Sequence, residues 1–369
     1  MPQRVILIHS PHSGRSSQLP VAIKHLEQAG PEVVSSISIA DIDDLPAQGT
    51  LWKESGVAAA LAAGGDGLVG GVVTHIAESG LPLGVLPLGT SNDIARALHI
   101  PQDIGEAAHV IAQGREQEVD IGVAQSAEQT TRSGTPSQSG SLPAKVIPQS
   151  GVCFAHALTV GVNVQFARIA TNVATRKRFG RMTYPYAALK TAAARDALNV
   201  QLEFEGLAMP QGTVSPQGAA SPTLTPPETH TTLRCRALQV AVINTPIFGG
   251  QREFAIAGSS FEDRLLDIVV FEHMDMGTLG KSIVRSFGPQ KHVEAPLATG
   301  ERRTFTHHPA ELSGIPGIHH VQAQGVTITT STDPREVTFD GEVRGQTPMY
   351  VHVADKRLRM RIPDQVGTT

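Results

Sequence analysis

The sequence predicts two unlike domains: an α/β domain on a parallel sheet with glycine-rich loops, then a β-rich, sandwich-like domain. Three observations predict this. Strand-like and helix-like stretches alternate through the first 115 residues or so, as in a parallel sheet covered on both faces. Two glycine-rich turns, Gly64-Gly65-Asp66-Gly67 and Leu86-Pro87-Leu88-Gly89-Thr90-Ser91-Asn92-Asp93, each sit behind an apolar run and ahead of a helix-like segment. From Glu116 the pattern changes to strands separated by polar, proline-rich stretches. At 369 residues and 40% hydrophobic content the chain can bury two cores.

The β-branched run Val5 to Ile8 reads as a short buried strand, ending in the turn Ser10-Pro11-His12-Ser13-Gly14. A helix-like segment follows from Leu19 to Gln28 and is closed by Gly30. Taken alone, the Ser10 to Gly14 turn is an ordinary strand-to-helix connection; beside the two later turns it reads as a third phosphate-facing loop. Glu32 to Ile39 is a second strand, and Trp52 to Ser55 ends a connecting helix. Val57 to Ala63 is ambiguous, since its alanines favour helix while seven apolar residues between Gly56 and Gly64 suit a buried parallel strand. Val72 to Glu78 is predicted as a helix, Leu83 to Leu86 as a strand, and Asp93 to His99 as a helix stopped by Pro101. Asp103 is placed to cap a helix from Ile104 to Gln113, with Gly114 at its end.

Beyond residue 115, Glu116 to Ala124 and Val152 to Thr159 read as strands, and Gln125 to Ser150 as a disordered insertion at a hairpin tip. Met209 to Thr231 is a second such insertion, dense in Pro and Thr. Four basic residues in Thr175 to Arg181 precede a helix-like Tyr184 to Ala197; they read as a solvated face, with anionic headgroups as the alternative contact. Strands are expected at Leu238 to Asn244 and Ile268 to Phe271, and a helix at Met276 to Ser286. Glu294 to Gln324 reads as loop, and its pairs His307-His308 and His319-His320 as solvent-facing, because no carboxylate or cysteine at metal spacing accompanies them. Val326 to Thr330 and Val337 to Phe339 are strands, and Asp340-Gly341 is a strong hairpin signal with Glu342 directly behind it. Arg357, Arg359 and Arg361 alternate with Leu358, Met360 and Ile362, the pattern of an edge strand with one basic face.

A net charge of −4 argues against a general nucleic-acid binder. Cys153 and Cys235 lie far apart without metal spacing, and no signal peptide precedes Arg4, so a reduced, cytoplasmic protein is expected. No apolar stretch approaches the 18 or so residues that a membrane span needs.

The two glycine turns describe a phosphate cradle, because glycine lets backbone N–H groups approach an anion and a helix N-terminus adds donors and partial charge. Asp66 supplies a carboxylate between them. There is neither a G-x-x-x-x-G-K-[ST] loop nor a protein-kinase H-R-D loop. Together the turns resemble the diacylglycerol kinase catalytic-domain family, which includes bacterial soluble lipid kinases and sphingosine kinases. Its LPxGTxND-(F/L/I)-A-R motif matches Leu86 to Arg96 almost letter for letter. Its GGDGT-x-NE motif matches Gly64 to Gly67, with Leu68 in place of Thr and Gly70-Gly71 in place of Asn-Glu. Two adjacent glycines near a helix start weaken it by roughly 0.5–1 kcal/mol each. Ser10 to Gly14 stands at the family's N-P-x-S-G turn, with Ser10 for the usual Asn. The resemblance decides for strand at Val57 to Ala63.

The resemblance implies ATP and Mg²⁺ as cofactors. It puts the nucleotide against the first turn through Ser10, Ser13 and Gly14, and against the second through Gly64, Gly65, Asp66 and Gly67. Gly89, Thr90, Asn92 and Asp93 would complete that pocket. Asp66 would orient Mg²⁺ or the substrate hydroxyl, Thr90 would hydrogen-bond the nucleotide, and Glu342, within the family's DGE…TP element, would act as general base. The stretch Ala257 to Asp267 resembles the family's P-x-A-x-x-x-DGLLD, which in bacterial members binds a structural Mg²⁺. Asp263 and the carbonyls of Ser260 and Leu265 would then be the ligands, with Arg264 where the family has Gly; a capped turn is the alternative. The domains implied are 1–115 for nucleotide, 116–345 for lipid substrate with insertions near 125–150 and 209–231, and 346–369 returning to the first domain. The expected activity is an ATP-dependent lipid kinase acting on a hydroxyl of a diacylglycerol, a sphingoid base or a related lipid, peripherally bound at a membrane. The alternatives are a kinase of a soluble substrate, NAD kinase-like, and a catalytically impaired nucleotide- or lipid-binding protein. A homodimer is left open.

Overall fold

The computed structural model describes residues 2–11, 13–42, 48–127, 151–161, 197–209, 223–224, 231–248, 254–256, 258–273, 294–296, 302–304, 318–331 and 333–364. The first domain is built on β1 (Arg4–His9), α1 (Leu19–Ala29), β2 (Glu32–Ser38), α2 (Gln48–Glu54), β3 (Ala59–Gly64), α3 (Asp66–Ile76), β4 (Leu83–Pro87), α4 (Asp93–Ala97), α5 (Ile104–Gln113) and β5 (Arg115–Val119). Its six-stranded sheet runs β2-β1-β3-β4, then the strand Leu358–Ile362, then β5. The first four strands are parallel, and β5 is antiparallel to Leu358–Ile362.

Every residue of β3 is buried. A strand covered on both faces shows no alternation, which is why its alanine-rich sequence also looks helical; small side chains fit between the layers. α3 begins at Asp66 itself, six residues ahead of the expected Val72 start. Asp103 accepts a hydrogen bond from Glu106 N (3.0 Å), and Gly114 follows α5 as its C-cap.

The predicted strand Glu116 to Ala124 is two strands: β5 stays in the first sheet, and Gly122–Ser126 opens the second. The break falls at Asp120-Ile121, where the chain crosses between domains. It crosses back between Met349–Val353 in the second sheet and Leu358–Ile362 in the first. That last strand lies between β4 and β5 and is therefore interior, not an edge; its arginines find Glu116 on β5.

The second sheet is antiparallel at each described strand pair and is organised around long strands Leu198–Met209, Thr231–Ile243 and Ile318–Thr330. Its core includes Phe154, Leu202, Val240, Ile268, Val326 and Met349. Ile318–Thr330 corrects the expected loop: His319 pairs with Glu272 (2.9 Å) and His320 with Asp267 (2.7 Å), and the His320 side chain is only 10% exposed. Periodicity does not reveal this strand because its His-His-x-Gln stretch lacks a sustained apolar alternation. His307-His308, the basic run 175–181, the expected helix 184–197 apart from its last residue, the expected helix 276–286 and most of both expected insertions lie outside the described residues. Among the described residues no helix is long and apolar enough to cross a membrane.

Candidate active site

The carboxyl ends of β1, β3 and β4 point the same way, so the turns that follow them gather at one edge of the sheet, where open α/β sheets hold ligands. Arg15 N donates to Leu88 O (2.9 Å), and Leu88 N donates to Gly64 O (3.0 Å). The turns pack backbone against backbone: a Cβ on Gly89 would lie 2.4 Å from Gly65 Cα, and one on Gly14 would lie 2.9 Å from Thr90 Oγ1. Ser13 Oγ borders Gly64, and Ser10 O accepts from Ser13 N (3.2 Å) to close its own turn. Asn92, at φ +54°, turns its side chain inward, accepting from Gly89 N (2.9 Å) and donating to Gln102 Oε1 (2.9 Å).

Asp66 stands at the first position of α3, and its two oxygens accept from Asp93 N (3.1 Å) and Ile94 N (3.0 Å). It therefore caps the start of α4 and ties the two glycine motifs together. At the start of α3 itself, Leu68 N and Val69 N bond back to Gly65 O, while the N–H groups of Asp66 and Gly67 belong to the helix positions that lack intrahelical partners.

The second domain delivers its hairpin to this same place. Asp340, at φ +48°, is buried, and its carboxylate accepts from the backbone N–H groups of His156 (2.9 Å), Ala157 (2.9 Å) and Ala155 (3.2 Å). It also presses on α3: a Cβ on Gly70 would lie 1.8 Å from Asp340 Oδ2. Glu342 follows, with Oε1 only 3.3 Å from where a Cβ on Gly67 would stand. Glu342, far from Asp66 in sequence, thus reaches the first turn of α3 beside Gly67. The Glu342 side chain is 55% exposed and pairs with Arg344.

Among Asp66, Asp93 and Asp340 lies buried His156. Thr245 Oγ1 donates to Ile247 O (2.7 Å) and so accepts from His156 Nδ1 (2.7 Å), while Nε2 faces Asp93 Oδ2 at 3.3 Å. Both ring nitrogens face acceptors, which is the arrangement of an imidazolium. Burial opposes that charge, but the bond to Asp93 and the charges of Asp66, Asp93 and Asp340 outweigh it and hold the imidazole above its ordinary value. Burial likewise raises the Asp66 carboxyl and pushes Asp340 up to about 6, each against the lowering effect of His156.

Comparison with known proteins matches this region. The profile of the diacylglycerol kinase catalytic domain matches residues 4–124. That match spans about a third of the chain. Diacylglycerol kinases of Staphylococcus aureus strains RF122 and MRSA252 are each 41% identical to this chain over 127 residues, 33% of this chain and 40% of their own length. The matched stretch thus spans less than half of those relatives. A solved diacylglycerol kinase from Bacillus anthracis str. Sterne superimposes over 99% of this chain and 99% of its own, at TM-score 0.57 and 18% identity. A second structure from that organism, bearing the name provisionally, reaches TM-score 0.62 at 19% identity and covers 99% of this chain and 97% of its own. At such identities the likeness shows the fold, which these structures share with this chain across both domains.

The matched region holds Ser13, Gly14, Gly64, Gly65, Asp66, Gly67, Gly89, Thr90, Asn92 and Asp93 in one cluster, with Ser10 at the base of the first turn. Asp263, Ser260 and Leu265 are elsewhere, in a loop docked on Asp120 at the domain junction, where Ser260 Oγ accepts from Glu262 N (3.1 Å) and Asp263 Oδ1 from Leu265 N (3.0 Å). A groove of about 760 Å³, lined by charged groups including Glu78, Lys356 and Arg359, opens beyond the C-terminal end of α3, at the opposite end of that helix from Asp66. Sequence reading missed His156 and the structural use of Asp340. The Asp340-Gly341 signal was visible, but it spoke only for a turn; a lone histidine in a strand-like stretch carried no signal. Asp340→Ala is expected to orphan three buried N–H groups at about 1–3 kcal/mol each. Thermal melting should show a loss of at least several degrees, and an unchanged melting temperature would refute the hairpin's anchoring role.

Proposed function

We propose that the chain is an ATP-dependent lipid kinase that transfers the γ-phosphoryl group to a hydroxyl of a diacylglycerol, a sphingoid base or a related lipid at a membrane surface. The observation that carries this reading is the delivery of Glu342 to Gly67, the residue after Asp66, at the edge where the two glycine-rich turns and the Ser10 to Gly14 turn meet. The residues fit a nucleotide and a hard cation. The first N–H groups of α3 and the hydroxyls of Ser13 and Thr90 gather at one edge to hold phosphate, and the exposed carboxylate of Glu342 lies beside them, within reach of a cation carried by the phosphates.

When bound, MgATP supplies the phosphoryl group and neutralises its charge. The turns at Gly64 to Gly67 and Gly89 to Asp93 position the phosphates through backbone N–H groups, and Asp66 fixes both motifs relative to each other. Glu342, half in solvent, can receive a hydroxyl approaching from the open side and take its proton. Positioning and electrostatics do the rest, since phosphoryl transfer needs little covalent help from the protein. The Gly70 departure has a structural account, because it opens the space that Asp340 fills.

The test is phosphate transfer from labelled ATP, run in parallel against diacylglycerol vesicles, sphingoid-base vesicles and soluble acceptors including NAD. Transfer to a lipid alone supports the proposal. Transfer to a soluble acceptor alone, or to none with nucleotide binding intact, would replace it.

A further inference from the structure

Asp120 is fully buried at the crossing between β5 and Gly122–Ser126. Its Oδ2 accepts from Arg264 N (2.7 Å), and its Oδ1 accepts from Arg357 Nε (2.9 Å) and Arg264 Nη1 (3.4 Å). The backbone of Asp120 is held as well, donating to Phe261 O (2.6 Å) and accepting from Asn244 Nδ2 (2.6 Å). Arg357 Nη2 reaches on to Glu262 O (2.5 Å) and Arg264 Nη2 to Asp355 O (3.3 Å). One buried carboxylate therefore joins the outgoing crossing at 120–121, the returning crossing at 354–357 and the 258–265 loop.

That loop is the one for which the family resemblance implies a structural divalent cation, and the residues here do not fit one. Both oxygens of Asp120 are engaged by cations or N–H donors. Asp267 is held by His320, and Asp263 accepts from Leu265 N. Among the described residues no group of three or more His, Cys, Asp or Glu side chains is arranged to hold a metal ion. Arg264, at φ +62°, adopts the left-handed conformation that suits the family's Gly, and from there it brings a guanidinium to Asp120.

We propose that the guanidinium groups of Arg264 and Arg357 take the place of a structural divalent cation, making the clamp between the two domains independent of metal. The charge that the family resemblance would have an ion supply is here attached to the chain, so the junction forms as the protein folds and needs no metal to close. The inference rests on the geometry at Asp120 and not on the kinase reading.

The test is the melting temperature of the full chain, without nucleotide, in EDTA and in millimolar Mg²⁺, for wild type and Arg264→Gly. Glycine suits the φ of this position, so any loss reports the missing guanidinium and not strain. In EDTA the variant is expected to melt on the order of 5 °C below wild type, and Mg²⁺ should narrow that gap. Reading the gap cancels any Mg²⁺ effect at the glycine turns, which both proteins share. A gap of zero in EDTA, or one that Mg²⁺ leaves unchanged, would overturn the proposal. If Arg264→Gly does not fold, Arg264→Lys serves. It keeps one charge without the forked donors and should melt below wild type in EDTA; equal melting would overturn the proposal.

Discussion

Glu342→Gln is expected to lower turnover on the lipid substrate by about 10²-fold or more, the scale of losing a positioned acid–base group, with little change in melting temperature. The structural half of that expectation follows from exposure: the side chain is more than half in solvent, and substitutions there usually cost within about 0.5 kcal/mol. Asp66→Asn should reduce turnover on the same scale but also lower stability. An amide cannot accept from both Asp93 N and Ile94 N, so one buried donor is left facing an NH₂, at about 1–3 kcal/mol. Comparing kcat with melting temperature for the two variants separates chemistry from scaffolding. Near-full activity of Glu342→Gln on the right lipid would remove its assigned role as base.

The second large effect runs against helix propensity. In an exposed helix Gly→Ala gains about 0.5–1 kcal/mol, and Asn is the residue common at position 70 in the family. Here Gly70→Ala is expected to destabilise and Gly70→Asn to do so more strongly, since a Cβ would fall 1.8 Å from Asp340 Oδ2. Overpacking alone costs about 1–3 kcal/mol. Displacing Asp340 would further weaken its hold on the N–H groups of residues 155–157, so a total of about 3 kcal/mol or more is expected for Gly70→Asn. Chemical denaturation measures this directly, and a stabilised Gly70→Ala would show that the hairpin does not pack on α3 as described. Gly71 provides the contrast, because a Cβ there would meet Ile39 at 3.6 Å and Arg344 Nη2 at 3.9 Å, both ordinary contacts.

These two cases show what the sequence made legible and what it did not. The glycine turns, the helix capped by Asp103 and the hairpin at Asp340-Gly341 are local signals, and local signals survive in sequence. The alternation of strand and helix was readable for the same reason. Gly70 looked like a weakened helix because its partner, Asp340, is 270 residues away and a sequence states no distances. His156 was invisible on the same ground: its bonds to Asp93 and Thr245 join segments that meet only in the folded chain. The strand holding His319 and His320 was hidden by polar residues whose partners, Glu272 and Asp267, come from a neighbouring strand. The last strand reads as an edge from its alternating arginines, yet β5 covers it and supplies Glu116 to neutralise them.

The most direct measurement is a crystal structure of the full chain with a non-hydrolysable ATP analogue and Mg²⁺. The account predicts the triphosphate on the backbone N–H groups at the start of α3, with Asp66 and Glu342 flanking its terminal phosphate. A nucleotide bound away from the glycine turns, or one whose terminal phosphate lies on the face of the molecule opposite Glu342, would contradict it.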